Sequence, residues 1–122
     1  MKFSEDYAIG TNVIRSFTDS TIDVNNKTYD KSLIIGNNLL IDDWVISHIE
    51  QMQLEHWQDL VMHKPEVILI GTGSSLVFPH PSSYAPAIDM GIGVEFMDSK
   101  AACRTYNVLV SEDRAVIAGI IL

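Results

Sequence analysis

Cys103, Arg104 and Asn107 bring a thiol, a guanidinium and a carboxamide into one short stretch of chain. The planar fork of an arginine donates two parallel hydrogen bonds and suits a carboxylate or a phosphate. A thiol is a nucleophile only as the thiolate, so Cys103 needs nearby positive charge or a helix N-terminus to be activated. Upstream, Gly71-Thr72-Gly73-Ser74-Ser75 forms a second candidate. Its glycines permit positive φ and expose backbone N–H groups, which can form an anion-binding concavity. The loop is no dinucleotide fingerprint, because Leu76-Val77-Phe78-Pro79 follows where a third Gly and a helix are needed. It also lacks the Gly-Lys-Ser/Thr of a phosphate-binding P-loop. Gly71, Thr72, Gly73, Cys103, Arg104 and Asn107 are therefore the candidate ligand-binding set, for a small anion or carboxylate. The competing reading is structural: a tight turn at a strand end, a packed Cys103, Arg104 paired to a carboxylate and Asn107 bonded to a loop.

Histidines supply a weaker signal. His56, Asp59 and His63 fall within about 60° on a helix, a spacing that superficially suits zinc. That side lies opposite Leu54, Trp57 and Val61, where the solvated face of an amphipathic helix would be. We expect no metal there and no cofactor elsewhere. Trp44 and Trp57 read as core residues. No catalytic acid–base pair stands out, so the residues name no reaction.

These side chains need elements to position them. Leu54 to His63 reads as a helix with Leu54, Trp57, Leu60 and Val61 on one side, stopped by Pro65. Glu66 to Ile70 is a continuous apolar run behind one acid, as expected of a strand buried on both faces. Pro81 to Met90 is a short helix, Val94 to Met97 a strand, and Ala115 to Leu122 a last strand. Asp98 or Ser99 caps a helix running to about Glu112. On it Lys100, Arg104, Asn107 and Ser111 form one polar stripe beside the apolar face of Ala102, Cys103, Tyr106, Leu109 and Val110. If strands 66–70 and 94–97 are parallel, their carboxyl ends share one sheet edge, where α/β proteins bind ligands. The stripe is then expected to point at the glycine turn. The first half is β-rich. Asn25-Asn26 predicts a two-residue hairpin turn setting Val24 opposite Lys27 and Ile22 opposite Tyr29. Asn12 to Phe17, Ser32 to Ile35 and Asn38 to Ile41 are further short strands. The fold class is α/β, with a mixed sheet, a β-rich N-terminal half and helices packed on the sheet.

The chain has 122 residues, room for one domain over 1–122. Its 47% hydrophobic content is ample for a core. Eight bases against sixteen acids give a net charge of −8, which repels phosphate backbones and argues against nucleic acid as a partner. The lone Cys103 makes no internal disulfide, so a reducing compartment is expected. No apolar run reaches the roughly 18 residues that span a bilayer. The acidic start after Met1-Lys2 resembles no targeting segment. Together these predict a cytoplasmic protein with no transmembrane segment.

The strings Pro65-Glu66-Val67-Ile68-Leu69-Ile70-Gly71-Thr72-Gly73, Gly91-Ile92-Gly93-Val94-Glu95-Phe96-Met97-Asp98 and Ala101-Ala102-Cys103-Arg104-Thr105-Tyr106-Asn107-Val108-Leu109 carry a resemblance. The sequence resembles the uncharacterised-domain family that includes the mitochondrial NADH dehydrogenase (complex I) assembly factor 3 and small bacterial and archaeal proteins. The resemblance implies a three-layer fold with a central mixed sheet. It supplies no reaction, and it implies a binding role. The chain looks like a stand-alone bacterial form. One departure is Glu112-Asp113-Arg114, where the family commonly has Glu-Gly-Arg. The expected function is a non-enzymatic interaction or respiratory-complex assembly-type module with a protein partner. The alternative is a small-molecule binding protein or enzyme that uses the Gly71–Gly73 loop and the Cys103–Asn107 helix. A homo-oligomer is open under either.

Overall fold

The computed structural model describes residues 10–122. The first three strands, β1 (Ile14–Phe17), β2 (Ile22–Val24) and β3 (Lys27–Tyr29), form a small antiparallel sheet. The remaining five are β4 (Leu33–Gly36), β5 (Leu39–Ile41), β6 (Val67–Gly71), β7 (Gly93–Met97) and β8 (Val116–Ile120). They form a mixed sheet in the order β5-β4-β8-β6-β7. β6 runs parallel to both β7 and β8, whereas β4 is antiparallel to β5 and β8. Among the described residues three α-helices complete the fold: α1 (Leu54–Val61), α2 (Ala85–Asp89) and α3 (Ser99–Ser111).

The layers follow from strand alternation. Val67 and Leu69 of β6 face one core while Ile68 and Ile70 face the other. On the first side, α3 and the small sheet bury Ala102, Cys103, Tyr106 and Val110 against Ile14, Ile22 and Val24. On the second, α1 and α2 bring Trp57, Leu60, Val61 and Ala87 onto Ile34, Ile117 and Ile121. A strand covered on both faces has no polar side to show, which is why β4, β6 and β8 read as unbroken apolar runs. The central mixed sheet between two covering layers agrees with the α/β expectation.

The hairpin has the expected register, Val24 opposite Lys27 and Ile22 opposite Tyr29, with Asn25 at φ 57° in the turn. Asp23, in the middle strand, accepts hydrogen bonds from Ser16 and Thr28 on its two neighbours. Those two donors hold its carboxyl below the usual value. The α3 N-cap is Asp98, whose carboxylate accepts from the Ala101 N–H at 2.9 Å. At the other end Asp113 N–H bonds Val110 C=O at 3.0 Å and Arg114 N–H bonds Leu109 C=O at 3.1 Å. This is the Schellman pattern, with Asp113 in the left-handed position at φ 60°. Arg114 then pairs with Glu66 at 2.9 Å.

Two local expectations need correction, and one element is new. Leu54 is exposed, not packed with Trp57, Leu60 and Val61, because α1 meets the sheet only after its first turn. The 81–90 segment is a 3-10 turn (Pro81–Tyr84) followed by α2. A further 3-10 turn at Ile49–Gln51 inserts Ile49 into the second core; three residues are too few for a helical period to show.

Candidate functional site

The glycine turn and the start of α3 do meet at the carboxyl edge of the parallel strands. Gly73 N–H donates to Ser99 Oγ at 2.9 Å, and Ser99 N–H donates back to Gly73 C=O at 2.8 Å. Ser99 Oγ–H in turn donates to Ile121 C=O. Thr72 N–H donates to Met97 C=O at 2.8 Å. Thr72 Oγ1 bonds Ser75 C=O at 2.6 Å and accepts from Val77 N–H at 3.1 Å. The backbone donors of Thr72 and Gly73 are thus spent on the fold itself. Gly71 serves close approach: a Cβ there would lie 2.9 Å from Ser99 Cα and 3.1 Å from Ala102 Cβ. Gly73 serves conformation instead, at φ +103° with open space around it.

Past its first residues the polar stripe of α3 faces β1, not the turn; only Lys100, at its start, shares a hollow with Gly73 and Ser74. Asn107 Oδ1 accepts from Ile14 N–H at 3.0 Å and Asn107 Nδ2 donates to Ile14 C=O at 2.7 Å. The Arg104 guanidinium stands 5.9 Å over the Phe17 ring. Lys100 pairs with Asp19, just beyond β1, at 2.8 Å. Successive turns of the helix therefore hold successive points along one strand and its following loop. The side chains beside Gly71 are Ser99 and Ala102. Of the six candidates, the structure brings Gly71, Thr72 and Gly73 together and directs Arg104 and Asn107 elsewhere.

Cys103 is buried in the first core. Burial pushes its thiol up to about 12, a rise that the neighbouring Arg104 charge only partly opposes and Asp98 reinforces. Its environment is that of a packed thiol rather than an activated one. His56 acts locally, its Nδ1 accepting from Gln53 N–H at 2.8 Å at the start of α1. Among the described residues no three His, Cys, Asp or Glu side chains gather as a metal site.

The surface holds a feature that the sequence reading missed. Between β5 and α1 lies a cleft of about 320 Å³ lined by Ile41, Trp44, Val45, Leu60 and Met62, with His56, Asp59 and His63 at its polar margin. Val45 is 76% and Met62 73% exposed, a large apolar outlay for a small protein surface. Trp44 forms the floor, pressed on Gly119 so closely that a Cβ there would sit 2.7 Å from its ring. A second hollow of about 270 Å³ shares His63 and extends along Leu39 and Pro65. The signal was present as apolar residues out of phase: Val45 lies between core positions, and Met62 follows α1 on its outer side.

Comparison with known proteins adds the lineage. Residues 14–121 match the family described as a protein of unknown function (DUF498/DUF598). The chain belongs to this family. One relative of this DUF498/DUF598 member is a Francisella tularensis protein named 13 kDa major membrane protein, 38% identical over 71 residues, or 58% of each chain. The NADH dehydrogenase [ubiquinone] 1 alpha subcomplex assembly factor 3 of Mus musculus is 30% identical over 98 residues, 79% of this chain and 52% of that protein. The chain thus spans just over half the length of these relatives. A crystal structure from Bordetella parapertussis superposes with a TM-score of 0.86 at 30% identity, covering 93% of this chain and 98% of that one. The family and the layered fold agree with the resemblance read from the sequence.

Proposed function

We propose that this DUF498/DUF598 protein is a non-enzymatic interaction module of the assembly type, which binds a protein partner through its β5–α1 cleft. The observation that carries the reading is the exposed apolar pair Val45 and Met62 beside the Trp44 floor. The name of the mouse relative, an assembly factor, supports it. A cytoplasmic location belongs to the same reading. Among the described residues no helix is long and apolar enough to cross a membrane. The Francisella relative, by contrast, is named a membrane protein. The alternative of a small anion or carboxylate at Gly71, Thr72, Gly73, Cys103, Arg104 and Asn107 has less support. The Thr72 and Gly73 N–H groups and the Asn107 amide are already engaged in the fold.

A photo-crosslinking residue placed at Val45 tests the module in living cells. The expected result is a reproducible adduct with one protein, absent when the same group is placed at exposed Val108 on α3. No adduct at Val45, or the same adducts at both positions, overturns the reading.

A further inference from the structure

β7 is the outer strand of the mixed sheet, at the opposite end of the order from β5 and its cleft. Gly93 N–H donates to Glu66 C=O, and Met97 C=O accepts from Thr72 N–H. Strand alternation therefore turns the backbone of Gly93, Glu95 and Met97 towards β6, and that of Val94 and Phe96 away from it. Among the described residues, the N–H and C=O groups of Val94 and Phe96 have no hydrogen-bond partner. β4, β6 and β8 are buried throughout, whereas every residue of β7 is at least partly exposed. Natural sheets blunt such an edge with a very short strand, a proline, a charge or a bulge. β5, at the other edge, has three residues. β7 has five, pairs regularly with β6 and carries no proline or bulge; its one charge is Glu95.

From this geometry we infer that the outer edge of β7 takes one extended strand of a partner protein, antiparallel to β7, with a Lys or Arg opposite Glu95 and an apolar residue on either side of it. The two apolar residues pair with Val94 and Phe96, exchanging both N–H···O=C bonds at each. Their side chains lie on the face of Val94 and Phe96, where Phe78 is 70% exposed with its ring 6.4 Å from that of Phe96. The residue between them stands beside Glu95 on the other face, at a Cβ separation of about 5 Å. Glu95 is exposed and makes no ion pair among the described residues, so a basic side chain there completes it. A second copy of this chain does not fit. The self-pairing that uses all the free groups sets Val94 against Phe96 and Glu95 directly against Glu95, a destabilising like-charge pair. The edge lies apart from the β5–α1 cleft, and the inference does not rest on the reading made there.

The probe is a capped synthetic pentapeptide with Val-Lys-Val at its centre, titrated into the full chain and followed by amide NMR. The Val94 and Phe96 N–H signals should shift, and their exchange with solvent should slow. Methylating the two Val nitrogens that face the edge should abolish binding, and Ser-Lys-Ser at the centre should weaken it several-fold. Val-Glu-Val should bind about threefold more weakly than Val-Lys-Val. Glu95→Lys, at an exposed position and with its folding checked by thermal melting, should reverse that preference. Absent shifts at Val94 and Phe96, equal binding of the N-methylated or Ser peptide, or a preference that Glu95→Lys leaves unreversed overturns the inference. A free protein that is already a dimer with both amides protected assigns the edge to a second copy and overturns it too. The Val45 crosslink reads the other end of the sheet: its loss leaves the β7 edge standing, and failure of the peptides leaves the cleft standing.

Discussion

Asn107 grips β1 through both atoms of its amide, accepting from Ile14 N–H at 3.0 Å and donating to Ile14 C=O at 2.7 Å. The helix thereby acts as a surrogate neighbour for the β1 backbone where its ladder with β2 is irregular. The register of β1 on β2 shifts between Ile14 and Ser16, and the carboxamide fills the place of a strand partner. Tyr106 strengthens the same junction by donating to Asn12 C=O at 2.8 Å. The small sheet is thus attached to the main body by side chains of α3.

Asn107→Ala removes two hydrogen bonds and leaves a backbone donor and acceptor without that partner at buried Ile14. We expect a loss of about 2 kcal/mol in unfolding free energy, measured by urea denaturation. Amide exchange should quicken most in β1 and β2. A neutral result would show that apolar packing and the Asn12 hydrogen bonds hold the small sheet without Asn107.

Cys103 should resist thiol reagents in the folded protein at pH 8 and react only on unfolding, as followed by mass spectrometry. Its titration also gives a pH signature. The folded thiol is raised from 9.0 to about 12, so the stability it confers is complete below about pH 9 and is lost as pH rises towards 12. In that window the unfolded chain loses the proton first, at a cost near 1.4 kcal/mol per pH unit. The stability gap between the wild type and Cys103→Ala should narrow accordingly above pH 9, and a gap constant to pH 11 would contradict the burial account.

The two glycines of the turn should fail differently. Gly71→Ala drives a methyl into the α3 backbone at Ser99 and should cost about 2–3 kcal/mol, with NMR shifts along the first turn of α3. Gly73→Ala meets no atom within 4 Å and should cost about 1–2 kcal/mol through its positive φ alone. Its shifts should stay within the turn.

Asp113→Gly should stabilise the protein. Asp113 sits at φ 60° in the position of the Schellman motif that favours glycine. Relief of left-handed strain, less the added entropy of the unfolded glycine, leaves a gain of roughly 0.5 kcal/mol. A fall in melting temperature would mean that the Asp113 carboxylate makes a favourable contribution of its own.

Local rules in the sequence sufficed for the hairpin register at Asn25-Asn26 and the strands around Val67–Gly71, and narrowed the α3 cap to Asp98 or Ser99, because turn chemistry and periodicity act over a few residues. Composition and the Ala-Cys-Arg-Thr-Tyr-Asn string sufficed for the fold class and family. Periodicity also grouped Lys100, Arg104 and Asn107 on one face of α3, but a helical period says which residues share a face and not what that face meets. Only the tertiary structure decided that they meet Asp19, Phe17 and Ile14, since β1 lies some ninety residues earlier in the chain. The cleft at Trp44, Val45 and Met62 was hidden for the same reason: its walls come from β5, the following loop and α1, and an apolar residue in a loop looks like core until the packing shows that nothing covers it.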